Sequence, residues 1–311
     1  MAMVSGPALV SAACKSGIMA GLPRHNAGSL EEFESWLAAI RADIDAFAAQ
    51  NPAAGIGPLA VNIIAGKPMA DLRAELAVCA RYGVRIIISA LGKPAELTRV
   101  VHDWGGKVFH DVTNLRFAGK AIEAGVDGLV CIGSGGGGHC GALNALSFIP
   151  RVRQMWEGTI IFAGSVSSGA AIRAAEILGA DLVYLGTRFI ATSESLAPDI
   201  YKAQLVACGA EDLIYTDRLT GVPANWLKPS LRAAGLDPDA LPLAVTPRKY
   251  EHLPPAARPW RTLWSAGQGI DLIDDIPSVA ELVQRLRREY VAACRIPSMS
   301  DEAATAGQAA A

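Results

Sequence analysis

No stretch of this 311-residue chain approaches the roughly 18 consecutive apolar residues that a membrane-crossing helix takes. Nor does the N-terminus carry a basic region followed by a long apolar one. The expectation is a cytoplasmic protein that neither spans a membrane nor is exported. Charge of either sign is not in excess, since 28 Lys and Arg against 30 Asp and Glu leave a formal net charge of −2. With no basic face implied, nucleic acid is not an expected partner. The lone basic cluster, Arg285-Leu286-Arg287-Arg288-Glu289, closes a helical pattern where cations suit the helix dipole, and it reads as a solvated face. Cysteine is sparse. The six (Cys14, Cys79, Cys131, Cys140, Cys208 and Cys294) form no C-x-x-C pair and mostly lie among apolar neighbours, as free thiols in a reducing cytosol do.

What the chain does have is apolar mass, 51% of its residues, and 31 glycines at regular places. One unit recurs, in which a helical pattern ends at a glycine and a Val/Ile/Leu-rich strand follows. It occurs at Gly17-Ile18-Met19-Ala20, Gly83 to Ile88, Gly105 to Phe109, Gly125 to Ile132, Gly158 to Phe162 and Gly179 to Leu185. Each glycine stands where a left-handed helix cap belongs, and each strand is apolar on both faces, as in a parallel sheet covered by helices. A further unit fits between Gly17 and Gly83: a helix opening at the capping-box spacing Ser29 to Glu32, then the strand Leu59 to Ile64. Phe33, Trp36, Leu37, Ile40, Ile44 and Phe47 keep helical period within it.

Seven parallel strands before residue 190, with right-handed crossovers, predict a TIM-type (β/α)8 barrel without a visible first strand. Met1 to Gly6 reads as the loop that follows a strand, so the first strand is expected upstream of Met1. An open or rearranged barrel is the other possibility. The expected organisation is a barrel from 1–197 plus 263–295, a helical cap over its mouth at 198–262, and a disordered tail at 296–311.

The chemistry is expected between Leu129 and Arg188. The strand Gly128 to Ile132 runs into Gly133-Ser134-Gly135-Gly136-Gly137-Gly138-His139-Cys140-Gly141. Glycines let a flat or phosphorylated ligand approach the main chain, and His139 is the loop's one side chain that exchanges protons near neutral pH. Two more strands end in a glycine and a hydroxyl residue, at Gly164-Ser165 and Gly186-Thr187. Free N–H groups ahead of a helix suit phosphate there. Because barrel ligands sit at the carboxyl ends of strands, all three loops are expected to converge, with phosphate at the last two strands.

Several motifs in order carry a resemblance: Gly-Gly-His-x-Gly at Gly137 to Gly141, Ala-Gly-Ser-Val at Ala163 to Val166, and Gly179 to Phe189 ending in Gly-Thr-Arg-Phe. Ala191 to Glu194 and Trp-Ser-Ala-Gly-Gln-Gly at Trp264 to Gly269 complete the set. Together they resemble the nitronate monooxygenases, or 2-nitropropane dioxygenases, over nearly the whole chain. That resemblance implies an FMN enzyme without a metal, oxidising alkyl nitronates with dioxygen to carbonyl compounds and nitrite. It implies His139 as the base for neutral nitroalkanes and Asn62, Gly137, Gly164, Ser165, Gly186 and Thr187 as flavin contacts. Gly138, in the same loop, is counted with them. The expected partners are a small-molecule substrate and O2, and a homodimer is one assembly that fits.

The sequence departs from the family at Gly135 and Gly136, where many members have Glu-Ala, and at Asp111, where some relatives place a lysine. Other readings stay open. A flavin reductase acting on an enoyl thioester or a quinone would share the barrel and the phosphate junctions, and so would a non-catalytic phosphate-ligand barrel. Gly133-x-Gly135-x-x-Gly138 also spells a dinucleotide fingerprint, though late in the chain. His110 and Asp111 either line the site or brace a loop, as does His25. Arg188 more often pairs with a structural carboxylate, Trp264 reads as packing, Asn62 and Gln268 as either site or brace, and His102 and His252 as surface residues.

Overall fold

The computed structural model describes residues 1–244 and 250–295. Its strands are β1 (Ala20–Pro23), β2 (Leu59–Ile64), β3 (Ile86–Ala90), β4 (Lys107–Val112), β5 (Gly128–Ile132), β6 (Gly138–His139), β7 (Thr159–Ala163), β8 (Leu182–Tyr184), β9 (Leu213–Thr216) and β10 (Ala224–Leu227). The helices are α1 (Pro7–Lys15), α2 (Leu30–Gln50), α3 (Met69–Arg81), α4 (Ala95–His102), α5 (Leu115–Glu123), α6 (Ala145–Met155), α7 (Gly169–Ile177), α8 (Thr187–Ile190), α9 (Asp199–Ala207), α10 (Lys228–Ala233) and α11 (Val279–Ala293). None is long and apolar enough to cross a membrane among the described residues.

Seven strands form one parallel sheet in the order β1-β2-β3-β4-β5-β7-β8, alternating with helices. These are the seven expected strands, with β1 starting at Ala20, three residues after Gly17. Gly17, Gly83, Gly105, Gly125 and Gly179 have left-handed φ between +65° and +105°, as the helix-cap reading requires. Gly158 does not share that conformation. Helix α6 instead ends with extended Trp156, and a Cβ on Gly158 would lie 2.2 Å from the Trp156 ring.

Alternation explains the doubly apolar strands. Ala60, Ile88, Phe109, Val130 and Ile161 point into the curled sheet and pack on one another. Val61, Ile63, Ile87, Val108, Leu129 and Ile160 point outward, into the large core under the helices. At the start of α2, Ser29 Oγ accepts the Glu32 N–H at 3.1 Å, but the Glu32 carboxylate accepts from Gly28 N–H at 2.6 Å, one residue before the box's usual return. Phe33, Leu37, Ile40 and Ile44 are buried, while Trp36 and Phe47 are half-buried.

The sheet is curled but not closed, because β1 and β8 form its two edges. Between them runs an apolar cavity of about 550 Å³, lined by Val10, Ala20, Phe109, Leu182, Tyr184 and Val283 among others. The first-strand position of a (β/α)8 barrel is this gap, so the fold is the expected barrel with one stave missing.

The segment after α8 carries α9 and α10, and also two strands that the helical-cap reading left out. Trp226, inside the segment read as a helical cap, lies in β10, and β6-β10-β9 form an antiparallel sheet. Trp226, Leu219, Leu231 and Leu263 give this cap a core of its own. The proline-rich stretch from Leu236 to Pro259 falls partly outside the described residues, and the expected disordered tail lies wholly outside them. All six cysteines are free thiols, with Cys14, Cys79, Cys131 and Cys140 buried.

Candidate functional site

Three strand ends meet at one rim of the curled sheet. The loop after β5 is tied across the end of β7: Gly133 N–H donates to Ala163 O at 2.9 Å, and Gly135 O accepts from Ser165 N–H at 3.1 Å. The same Gly135 carbonyl accepts from Gln268 N–H at 2.9 Å, which brings in the stretch Trp264 to Gly269. Thr187 Oγ1 accepts from Gly267 N–H at 2.9 Å, so the threonine's own hydroxyl proton remains to be given elsewhere. The approach is too close for side chains. A Cβ on Gly137 would lie 2.9 Å from both Gly267 N and Thr187 Oγ1, and one on Gly164 would lie 3.2 Å from Gly136 N. Gly164 and Ser165 follow one another with φ of +133° and +56°. A serine in the left-handed region is uncommon and is retained where surroundings over-determine it, frequently at a binding site.

Gly137, Gly164, Ser165 and Thr187 are thus brought together, and Gly186 caps α8 beside them. Gly138 is also left-handed, at φ +78°, and faces Trp260 rather than the other junctions. The dinucleotide reading of Gly133, Gly135 and Gly138 does not hold. That fingerprint opens directly into a helix, whereas here β6 intervenes and α6 begins only at Ala145.

Below the rim, alternation decides which polar residues face inward. Asn62 follows Ala60 on β2, and Asp111 follows Phe109 on β4, so both sit one layer above the apolar interior. Burial pushes the Asp111 carboxyl up to about 7, against the pull of the Met1 ammonium. Tyr184 faces the same interior, and burial, with the Asp111 charge second, raises its phenol further.

His110 takes the opposite side of β4. Its Nδ1 is 2.7 Å from Ser89 Oγ, and burial lowers its pKa to about 4, so it braces two strands as a neutral ring. The pair His110 and Asp111 therefore divides into a brace and a site-facing group. His25 is likewise lowered to about 4, by burial first and then by the Met1 ammonium, Lys67 and Arg24. Its neighbour Asn26 grips the N-terminal segment through Met3 N–H at 2.8 Å and Ser5 O at 2.9 Å. Arg188 is buried and its Nη2 lies 2.6 Å from Asp275, the structural pairing expected. Trp264 stacks on Tyr201 at 4.9 Å, which is packing. His102 pairs with Asp127 at 2.8 Å, and His252 Nε2 meets Arg218 O at 3.0 Å.

His139 is held by the cap. Strand β6 pairs with β10 through His139 and Ala224, and Cys140 N–H donates to Pro223 O at 3.2 Å. His139 Nε2 lies 3.2 Å from Thr220 Oγ1, and that hydroxyl gives its proton to Val222 O at 3.0 Å. Thr220 Oγ1 thus links the ring to the Val222 carbonyl, with the donor at the ring set by the imidazole tautomer. Trp260 meets the imidazole edge-on at 5.2 Å and packs on Trp226 at 4.5 Å. Asn225 Nδ2 donates to Ser134 O and Gly136 O at 3.1 and 2.8 Å, fastening the glycine loop to β10. Thr220, Asn225 and Trp260 were not found in the sequence. Their one local signal, Asn225-Trp226 just after Pro223, is indistinguishable from a cap turn.

The family model for nitronate monooxygenase matches residues 37–289. A Mycobacterium tuberculosis protein, (3aS,4S,5R,7aS)-5-hydroxy-7a-methyl-1-oxo-octahydro-1H-indene-4-carboxyl-CoA dehydrogenase, is 30% identical over 234 residues, covering 74% of this chain and 62% of that protein. The nitronate monooxygenase of Paraburkholderia phytofirmans is 30% identical over 249 residues, or 75% of this chain and 61% of its own length. The chain thus spans about three fifths of the length of these curated relatives. Among solved structures, nitroalkane oxidase from Streptomyces ansochromogenes superimposes with a TM-score of 0.75 at 23% identity, covering 93% of both chains. FabK from Thermotoga maritima does so with a TM-score of 0.72 at 24% identity, covering 93% of this chain and 90% of the other. At those identities the likeness is one of fold.

Proposed function

The chain belongs to the nitronate monooxygenase family, and from that premise we propose that it is an FMN-dependent oxidoreductase. Its reaction is the oxidation of alkyl nitronates by dioxygen to carbonyl compounds and nitrite, with nitroalkanes entering after loss of their α-proton. The observation that carries this reading is the meeting of Gly137, Gly164-Ser165 and Gly186-Thr187 at one rim, with His139 two residues beyond Gly137.

The residues fit a flavin mononucleotide. The Ser165 and Thr187 hydroxyls and the left-handed Gly164-Ser165 junction suit a phosphoryl group at the last two strands. Asn62 and Asp111 offer polar partners for a ring at the inner rim. When bound, FMN supplies a two-electron acceptor and a route for those electrons to dioxygen. The protein's part is proton transfer and placement. Held beside Thr220 by the cap, the His139 imidazole takes the α-proton of a neutral nitroalkane. A nitronate arrives already deprotonated and does not need that step.

The test is a visible absorption spectrum of the purified protein, followed by an oxygen-electrode trace with propionate 3-nitronate and no nicotinamide. Flavin absorbance and nitronate-dependent oxygen uptake are expected. A protein that stays colourless with added FMN removes the flavin reading. The dehydrogenase name of the Mycobacterium tuberculosis relative supports a second reading, a CoA thioester as the substrate. Anaerobic turnover of such a thioester, with no oxygen uptake on nitronate, would favour it.

A further inference from the structure

We infer that Asp111 contacts the ring system of the bound flavin and adjusts its reduction potential through the charge of its carboxyl. This rests on the flavin reading above and assigns a residue to it that the motifs do not include. Of the buried side-chain polar atoms left without a hydrogen-bond partner among the described residues, Asp111 Oδ1 alone belongs to the seven-stranded sheet. The others lie on helices, in loops or on the cap strand β10. An oxygen stripped of water and given no protein donor is costly, so such groups are explained by a ligand or a functional role.

Placement points to a ligand. Asp111 stands one layer above Phe109, opposite Val130 of β5, on the face where Asn62 and the glycine junctions converge. Its strand neighbour His110 turns to the other face and is occupied by Ser89. Among the described residues, the Met1 ammonium pulls on the Asp111 carboxyl, and Asp111 in turn bears on the Tyr184 phenol.

An isoalloxazine ring presents both N–H and carbonyl groups at its polar edge. A protonated carboxyl donates to that edge and an ionised one accepts from it. The two states differ for the flavin because a negative charge beside the ring opposes the arrival of electrons. Burial raises the carboxyl to about 7, so the potential is expected to respond to pH across neutrality.

The experiment uses the FMN-loaded protein, wild type and Asp111→Asn, with midpoint potentials measured at pH 5.5 and pH 8.5. At pH 8.5 the variant is expected to bind reduced relative to oxidised flavin about tenfold more favourably, which is about +30 mV for a two-electron couple. At pH 5.5 the two proteins are expected to coincide. Equal potentials at both pH values, or the same offset at both, overturn the assignment. A second measurement does not depend on that variant. The oxidised flavin spectrum of the wild type, titrated from pH 5 to 9, is expected to shift near neutrality and to do so equally in His139→Asn. A spectrum without that shift, or one that loses it with the imidazole, overturns the assignment while leaving the flavin reading intact. A protein that binds no FMN overturns both.

Discussion

At the rim, the elements meet through main chain: Gly135 O holds both Ser165 and Gln268, and Gly267 N–H sits on Thr187. In the cap they meet through side chains, with His139 on Thr220, Trp260 on the imidazole edge, and Asn225 on two carbonyls of the glycine loop. The rim is thus a surface of backbone and hydroxyls suited to gripping, while the cap orients one titratable ring. On the proposed reading, binding falls to the rim and proton transfer to the ring, and mutations are expected to separate them.

The largest separation is expected at the ring itself. His139→Asn should reduce nitroethane turnover by about 10²–10⁴-fold while sparing ethylnitronate and FMN binding, as read from oxygen uptake on both substrates. Equal losses on the two substrates would deny the imidazole its role as a base. Next is the cap's support. Trp226 is fully buried against Trp260, and Trp226→Ala should cost about 3–5 kcal/mol where it unfolds the cap. Thermal melts should then show nitroethane activity lost before flavin is released, and simultaneous loss would mean that cap and rim are one cooperative unit.

At the rim, Gly137→Ala places a methyl against Gly267 N and Thr187 Oγ1. The overpacking costs about 1–3 kcal/mol and should appear mainly as weaker FMN binding in a fluorescence titration, with the ratio of nitroethane to nitronate turnover unchanged in the loaded enzyme. The smallest effect is expected at Thr220→Val, which keeps the shape and removes the hydrogen-bond partner of Nε2. A loss of about tenfold in nitroethane kcat/KM, near 1.4 kcal/mol, together with a shifted pH profile and unchanged nitronate turnover, would identify it as a positioning residue. A flat result would mean that Trp260 and the β6–β10 pairing orient the ring without it.

The same division separates what was legible from what was not. The junction glycines and hydroxyls stand at fixed offsets from apolar strands, and parallel topology carries all strand ends to one face, so Gly164, Ser165, Gly186 and Thr187 were readable locally. Thr220 and Asn225 lie more than eighty residues from the groups they hold. No spacing rule spans that distance, and the two cap strands are only four residues each, too short for a clear period. Asp111 was readable only as a polar residue at a strand end. Whether it or His110 faced the site depended on which side of β4 looked inward.

The amino-acid order by itself determined the repeating helix and strand units, the parallel sheet and the three glycine junctions, because periodicity and bare backbone act over a few residues. Tertiary structure alone decided the Thr220 and Trp260 neighbours of His139, the unpartnered oxygen of Asp111 and the gap between β1 and β8. Each of these depends on which distant atoms arrive beside it, and the local chain does not encode that.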